Sequence, residues 1–177
     1  TGPVYVKAGT LNAGSTGASL GGGTTAISLG GGAANATLGL GGNFTYARPV
    51  TVAAGSSGLL TVNISGNGFQ SGTFTINDDV TVSGGSAAVV SGPIVGSGGT
   101  LTLVNTGNSS SSVQLTGGVN HAGAIVNDGT GTGVGTISSA IGANVTGIEQ
   151  KSATSPLALT GANPNFAGTV TVTAGQL

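Results

Sequence analysis

The 177-residue chain contains no cysteine, no methionine and no tryptophan. Without thiols no disulfide framework can staple the fold, no thiolate-held metal can nucleate it, and no cysteine nucleophile can act. Charge is almost as scarce: three basic side chains, four acidic ones and one histidine leave a net charge of −1, and charged residues make up 4% of the chain against about 25% in an ordinary globular domain. Three scattered cations cannot form a nucleic-acid footprint. Aromatics are held to 3%, which leaves an immunoglobulin-like sandwich without its usual core. No run of about 18 apolar residues could span a membrane as a helix, and no basic stretch followed by an apolar one opens the chain. Because there is no initiator methionine, a chain starting at Thr1 is expected to be a processed or excised part of a longer product, with any signal peptide or anchor outside it.

What is present is glycine, at 37 residues, within a composition that is 37% hydrophobic. Disorder calls for high net charge and few apolar residues, so this chain should fold, and its length suits one domain over residues 1–177. Solubility must come from Ser, Thr and Asn. Little charge repulsion is left to keep copies apart, which favours association.

The apolar residues alternate with small polar ones. Leu157-Ala158-Leu159-Thr160 and Thr169-Val170-Thr171-Val172-Thr173 have the period of two that marks a strand. Gly161-Ala162-Asn163-Pro164-Asn165 between them supplies the φ values of a corner. Ala174-Gly175-Gln176-Leu177 turns again. Strand and corner thus repeat over roughly twenty residues, a solenoid period. Gly2 to Leu11 aligns without gaps on Gly168 to Leu177, so the chain is expected to begin in the same part of the repeat in which it ends. Asn43-Phe44-Thr45-Tyr46-Ala47 followed by Pro49 to Gly55 reads as a further copy. Leu60–Ile64, Gly68–Ile76, Val80–Val82, Leu101–Val104, Val113–Thr116, Ala124–Val126 and Thr136–Ile137 continue the series. Residues 12–42 are richer in glycine and read either as thin coils or as a flexible linker; Ile27, Leu29, Leu38 and Leu40, paired at two-residue spacing, favour thin coils.

The final twenty-one residues resemble the autotransporter-associated β-strand repeat of secreted passenger regions in Gram-negative autotransporter-type surface proteins. The shared pattern is L-x-L-x-G-A-N, a glycine, then V-x-A-G-x-L. Where the family usually reads Asn-Thr-Tyr-Thr-Gly, this chain has Asn163-Pro164-Asn165-Phe166-Ala167-Gly168, keeping an aromatic at Phe166 and departing at Pro164. The resemblance implies an all-β, right-handed parallel β-helix, an extracellular bacterial surface location and no catalytic residues to carry over. At about 20 to 25 residues per coil the chain would make roughly eight coils. Val50, Val52, Leu157, Leu159, Val170 and Val172 should point inward.

Chemistry needs ionisable groups, and these are Lys7, Arg48, Asp78, Asp79, His121, Asp128, Glu149 and Lys151. Asp78-Asp79 could be the remnant of a polysaccharide-cleaving carboxylate pair or hold Ca²⁺ at a turn, but Asn77-Asp78-Asp79 reads more simply as a turn cap. His121 reads as a corner histidine. Asp128-Gly129-Thr130-Gly131-Thr132-Gly133 looks like a phosphate loop but lacks the following lysine and helix. The sequons at Asn35, Asn43, Asn63, Asn108 and Asn144 are expected from composition. Catalytic, cofactor and metal sites are therefore expected to be absent. Two partners remain: the chain itself, continued end to end through another copy or through more of its own polypeptide, and glycan or ice on ranks of Thr and Ser.

Overall fold

The computed structural model describes residues 2–14, 20–21, 24–108 and 113–177. Among them are 19 strands and no helix, and every strand pairing is parallel. The strands lie on three faces of a solenoid. Sheet I holds β1 (Val4–Val6), β3 (Ile27–Gly30), β6 (Val50–Ala53), β9 (Phe74–Ile76) and β12 (Ile94–Val95). Sheet II holds β2 (Gly9–Ala13), β4 (Ala36–Leu40), β7 (Leu60–Ile64), β10 (Val80–Gly84), β13 (Leu101–Asn105), β15 (Ala124–Asn127), β17 (Gly147–Gln150) and β19 (Thr169–Val172). Sheet III holds β5 (Thr45–Tyr46), β8 (Phe69–Gln70), β11 (Ala88–Val90), β14 (Val113–Leu115), β16 (Gly135–Ile137) and β18 (Leu157–Leu159).

Sheet II runs the full height. Its in-register partners Gly9↔Ala36, Ala36↔Leu60, Thr61↔Thr81, Val80↔Leu101, Leu101↔Ile125, Ile125↔Ile148 and Ile148↔Val170 are 27, 24, 20, 21, 24, 23 and 22 residues apart. Its eight strands are thus separated by seven turns, a rise of about 34 Å at about 4.8 Å per rung. The one turn outside the expected length lies in the glycine-rich region. There β3 and β4 are ordinary rungs with Ile27, Leu29, Leu38 and Leu40 buried; within residues 12–42, positions 15–19 and 22–23, part of the Gly21–Gly23 cluster among them, lie outside the described residues.

Alternation produces this because inward positions stack into continuous apolar columns. One runs Leu38, Val62, Val82, Leu103, all at most 1% exposed. Ala-Gly steps turn the chain after β1, β6 and β19, at Gly9, Gly55 and Gly175, where φ is 71°, 73° and 71°, a region that costs glycine nothing. At another corner glycines touch glycines: a Cβ on Gly92 would meet the Gly72 carbonyl, and one on Gly117 the Gly92 carbonyl.

Two expectations need correction. Gly2 to Leu11 and Gly168 to Leu177 do not occupy the same part of the repeat: Val4–Val6 lies on sheet I, whereas Thr169–Val172 lies on sheet II. The copy at Val50–Ala53 sits on sheet I with the first. The shared motif encodes a strand and the left-handed corner after it, and either face can end in such a corner. The outline also changes along the axis. Sheet I thins from strands to single bridges at Val119 and Ile141, while sheet III begins with the two-residue β5 and β8 and then holds at three. In addition, Gly68–Ile76 is not one run: a corner at Ser71-Gly72-Thr73 splits it into β8 and β9 on different sheets.

Candidate functional site

Asp78 and Asp79 sit at the corner between β9 and β10, and their oxygens face backbone amides. Asp78 Oδ2 accepts from Ser56 N at 2.8 Å and Oδ1 from Asp79 N at 2.9 Å. Asp79 Oδ1 accepts from Thr100 N at 2.7 Å, and Asn77 Oδ1 takes both Ser97 N and Ser97 Oγ. The pair therefore ties its corner to the coils below and above. A cleft of about 510 Å³ opens beside it, lined by Ser56, Ser57, Leu59, Asp79, Thr81 and Thr102 among others. No basic or imidazole group lines it, and no cluster of three or more potential metal-ligating His, Cys, Asp or Glu side chains occurs among the described residues. A general acid–base pair would need a second titrating partner in reach.

His121 is elsewhere, fully buried in the connection from the Val119 bridge to β15. Its Nε2 lies 3.3 Å from Ala124 O and its Nδ1 has no partner. Burial pushes the imidazole below its ordinary pKa, and the Ala124 and Gly99 carbonyls only partly oppose that. A sealed, neutral ring has no route to substrate.

The Asp128–Gly133 run is an extended corner in which four of the six amides are committed. Asp128 N donates to Leu103 O, Thr130 N and Gly131 N to Asn105 O, and Gly133 N to Gly107 O, so most of the N–H groups a phosphate would need are taken by the coil below. Asp128 forms a 3.0 Å ion pair with Lys151 one coil above, and Glu149 accepts from Thr173 Oγ1. The sequon asparagines are stitches of the same kind: Asn35 Oδ1 accepts from Leu59 N, Asn43 Oδ1 from Asn67 N and Asn108 Oδ1 from Thr132 Oγ1, each 24 residues on. Asn63 Nδ2 donates to Ser83 Oγ, and Asn144 donates to Asn120.

Two polar features escaped sequence reasoning. Arg48 is 5% exposed and spreads its guanidinium over three carbonyls, with Nε on Thr25 O, Nη1 on Leu20 O and Nη2 on Gly2 O. Among its aliphatic columns the interior also admits Tyr46 and Phe74 and a buried amide network. Asn127 Nδ2 donates to Gln150 Oε1 at 2.7 Å and to Ser155 O at 2.6 Å. Asn105 Nδ2 donates to Ser155 Oγ, which itself donates to Gly133 O. The signal was available: positions 105, 127 and 150 follow one another at the coil period.

Two surfaces are left. On the outer face of sheet II, Thr10, Thr37, Thr61, Thr81 and Thr102 stand in register on successive strands. At one end of the stack, Val170 and Val172 are 47% and 52% exposed and Leu177 is 40% exposed. These are inward positions, in line with Ile148, Gln150 and, across the Leu157 N to Gln176 O bond, Leu157. Val50, Val52 and Leu157 are buried as expected, and Leu159 partly so; Val170 and Val172 differ because no rung lies over them. No family model, curated protein or solved structure matches the chain.

Proposed function

We propose that this chain is a non-enzymatic structural module, an extracellular β-solenoid that spaces or assembles at a bacterial surface by adding rungs at its ends. The observation that carries this reading is that the ionisable groups singled out as candidate chemistry are bonded to neighbouring coils or sealed inside, as Asp78, Asp79, His121 and Asp128 are. What remains outside is a near-neutral wall of hydroxyls and amides on a continuous parallel ladder. The bacterial surface location rests on the resemblance of Leu157 to Leu177 to the autotransporter-associated repeat. Electron microscopy of the purified chain tests the reading: straight rods or fibres of uniform width are expected, and compact particles that stay discrete at high concentration refute assembly. Polysaccharide cleavage belongs to this test as well, since any such activity abolished by Asp79→Asn would overturn the non-enzymatic reading.

The threonine column supports a second reading, an adhesin-type face for glycan or ice. Hydroxyls repeating at about 4.8 Å form a regular hydrogen-bonding rank. The columns flanking it are mixed, with Asn12, Gly39, Asn63 and Ser83 on one side, which makes the rank one residue wide. Glycan arrays and thermal-hysteresis assays decide this, and silence in both removes it.

A further inference from the structure

Resting on the adhesin-type reading, we propose that the cleft beside Asp79 is a binding site for an uncharged sugar, taken as one pyranose of a surface glycan. A change in coil length makes the cleft. Between sheet I and sheet II the connection from β9 to β10 is three residues, Asn77 to Asp79, whereas the connections below and above it, 54–59 and 96–100, are six and five. The same coil is the shortest on sheet II, with Thr61 and Thr81 in register 20 residues apart. Its corner is therefore recessed between two longer ones. The resulting notch of about 510 Å³ has the size of sites that take small molecules, about 300–1,000 Å³.

Part of the lining is spent on holding this shape. Asp78 accepts from Ser56 N on one oxygen and from Asp79 N on the other, and Ser56 Oγ donates to Ala53 O while accepting from Gly31 N. Asp79 Oδ1 accepts from Thr100 N. Its Oδ2 and the hydroxyls of Ser57, Thr81 and Thr102, all residues of the lining, have no hydrogen-bond partner among the described residues. Thr81 and Thr102 are in register on β10 and β13, so the threonine rank of sheet II runs into the notch and supplies hydroxyls that both donate and accept. Leu59 lines the same notch and is 74% exposed, an apolar surface open to solvent beside a row of polar groups. A pyranose has the complementary parts: its hydroxyls meet a free carboxylate oxygen and two threonines, and its C–H face covers Leu59. Charge narrows the class. The ionisable side chains of the lining are Asp78 and Asp79, with no basic group beside them, so uronates and sialates are repelled, while a sugar hydroxyl gains a charge-assisted bond to Asp79.

An array of neutral gluco-, manno- and galacto-oligosaccharides beside their uronic-acid counterparts tests this on the intact chain. Signal is expected on neutral members and markedly less on the acidic ones. Asp79→Asn keeps an oxygen for Thr100 N and turns the free acceptor into a donor, so it should hold the urea midpoint near that of the parent and lower the neutral signal about tenfold or more. Leu59→Ser, at an exposed position, should lower it about threefold or more. Thr51→Val, outward on sheet I and outside the notch, should change nothing. Neutral binding that both notch variants leave intact and Thr37→Val removes would lie on the open rank, overturning the notch while the adhesin-type reading stands. Preference for the uronates, or binding that needs added Ca²⁺, overturns the assignment to an uncharged sugar held by Asp79. Silence across the array overturns the notch together with the glycan form of that reading.

Discussion

Asn127→Leu is the sharpest probe of how the upper coils are held. Asn127 is fully buried, directly above Leu103 in its column, so leucine matches both the side-chain volume and the aliphatic neighbour below. What it lacks are the donors and the oxygen that accepts from Asn105 Nδ2 at 3.4 Å, a long bond whose donor keeps Ser155 Oγ at 2.8 Å. Gln150 Oε1 loses its bond from Asn127 Nδ2 at 2.7 Å, and Ser155 O keeps only Gln150 Nε2 at 3.0 Å. One stranded buried acceptor costs about 1–3 kcal/mol and one lost bond at a still-satisfied acceptor about 0.5–1.5, for a total of about 2–4 kcal/mol. Asn127→Asp keeps the shape and places an acceptor where the donor was, facing two oxygens; burying that charge unpaired should make it worse than the leucine variant at pH 7. In a solenoid the damage stays near the lesion. Urea unfolding should show a lower midpoint, and native-state hydrogen exchange should lose protection in β15 and β17 before β4 and β7. A leucine variant as stable as the parent, or an aspartate variant no worse than leucine, would refute the network's role.

Gly92→Val should cost about 2 kcal/mol or more, since the new Cβ meets the Gly72 carbonyl and backbone cannot step aside as a side chain can; a midpoint within error of the parent would show that the corner relaxes. Arg48→Met leaves three carbonyls without their donor and should cost about 2–4 kcal/mol, with exchange protection lost at β1 and β3; Arg48→Lys should not rescue it, because a point ammonium cannot span the three positions. His121 is held neutral by burial, so its folded pKa lies below the unfolded value of about 6.5. The unfolded chain then takes up the proton first, and stability should be level above that pH and fall as pH drops through it toward the folded pKa; an unchanged slope between pH 7 and 5 in His121→Gln would assign the loss to other groups. Lys151→Ala breaks an exposed ion pair and should shift stability by less than about 0.5 kcal/mol, as read by the same urea titration.

The fold was legible because inward and outward positions alternate wherever a strand has one buried face, and because glycine marks the corners. Leu60–Ile64 and Phe74–Ile76 have the burial pattern that their residues spell. Where alternation fails, the strand is silent in sequence. Ala88–Val90 is buried at all three positions, and Gly147–Gln150 offers a single aliphatic residue. The candidate chemistry could be found in sequence but not weighed there. Asp78 and Asp79 stand out as a pair, yet their partners, Ser56 N and Thr100 N, are 22 and 21 residues away and become visible only once the coil length is known.

The same arithmetic explains why likeness between the two ends misled. Local sequence specifies a strand and the hand of its corner, and the face that strand occupies depends on the summed lengths of all preceding turns, which here vary from 20 to 27 residues. Val4–Val6 and Val170–Val172 can therefore share a motif and sit on different faces.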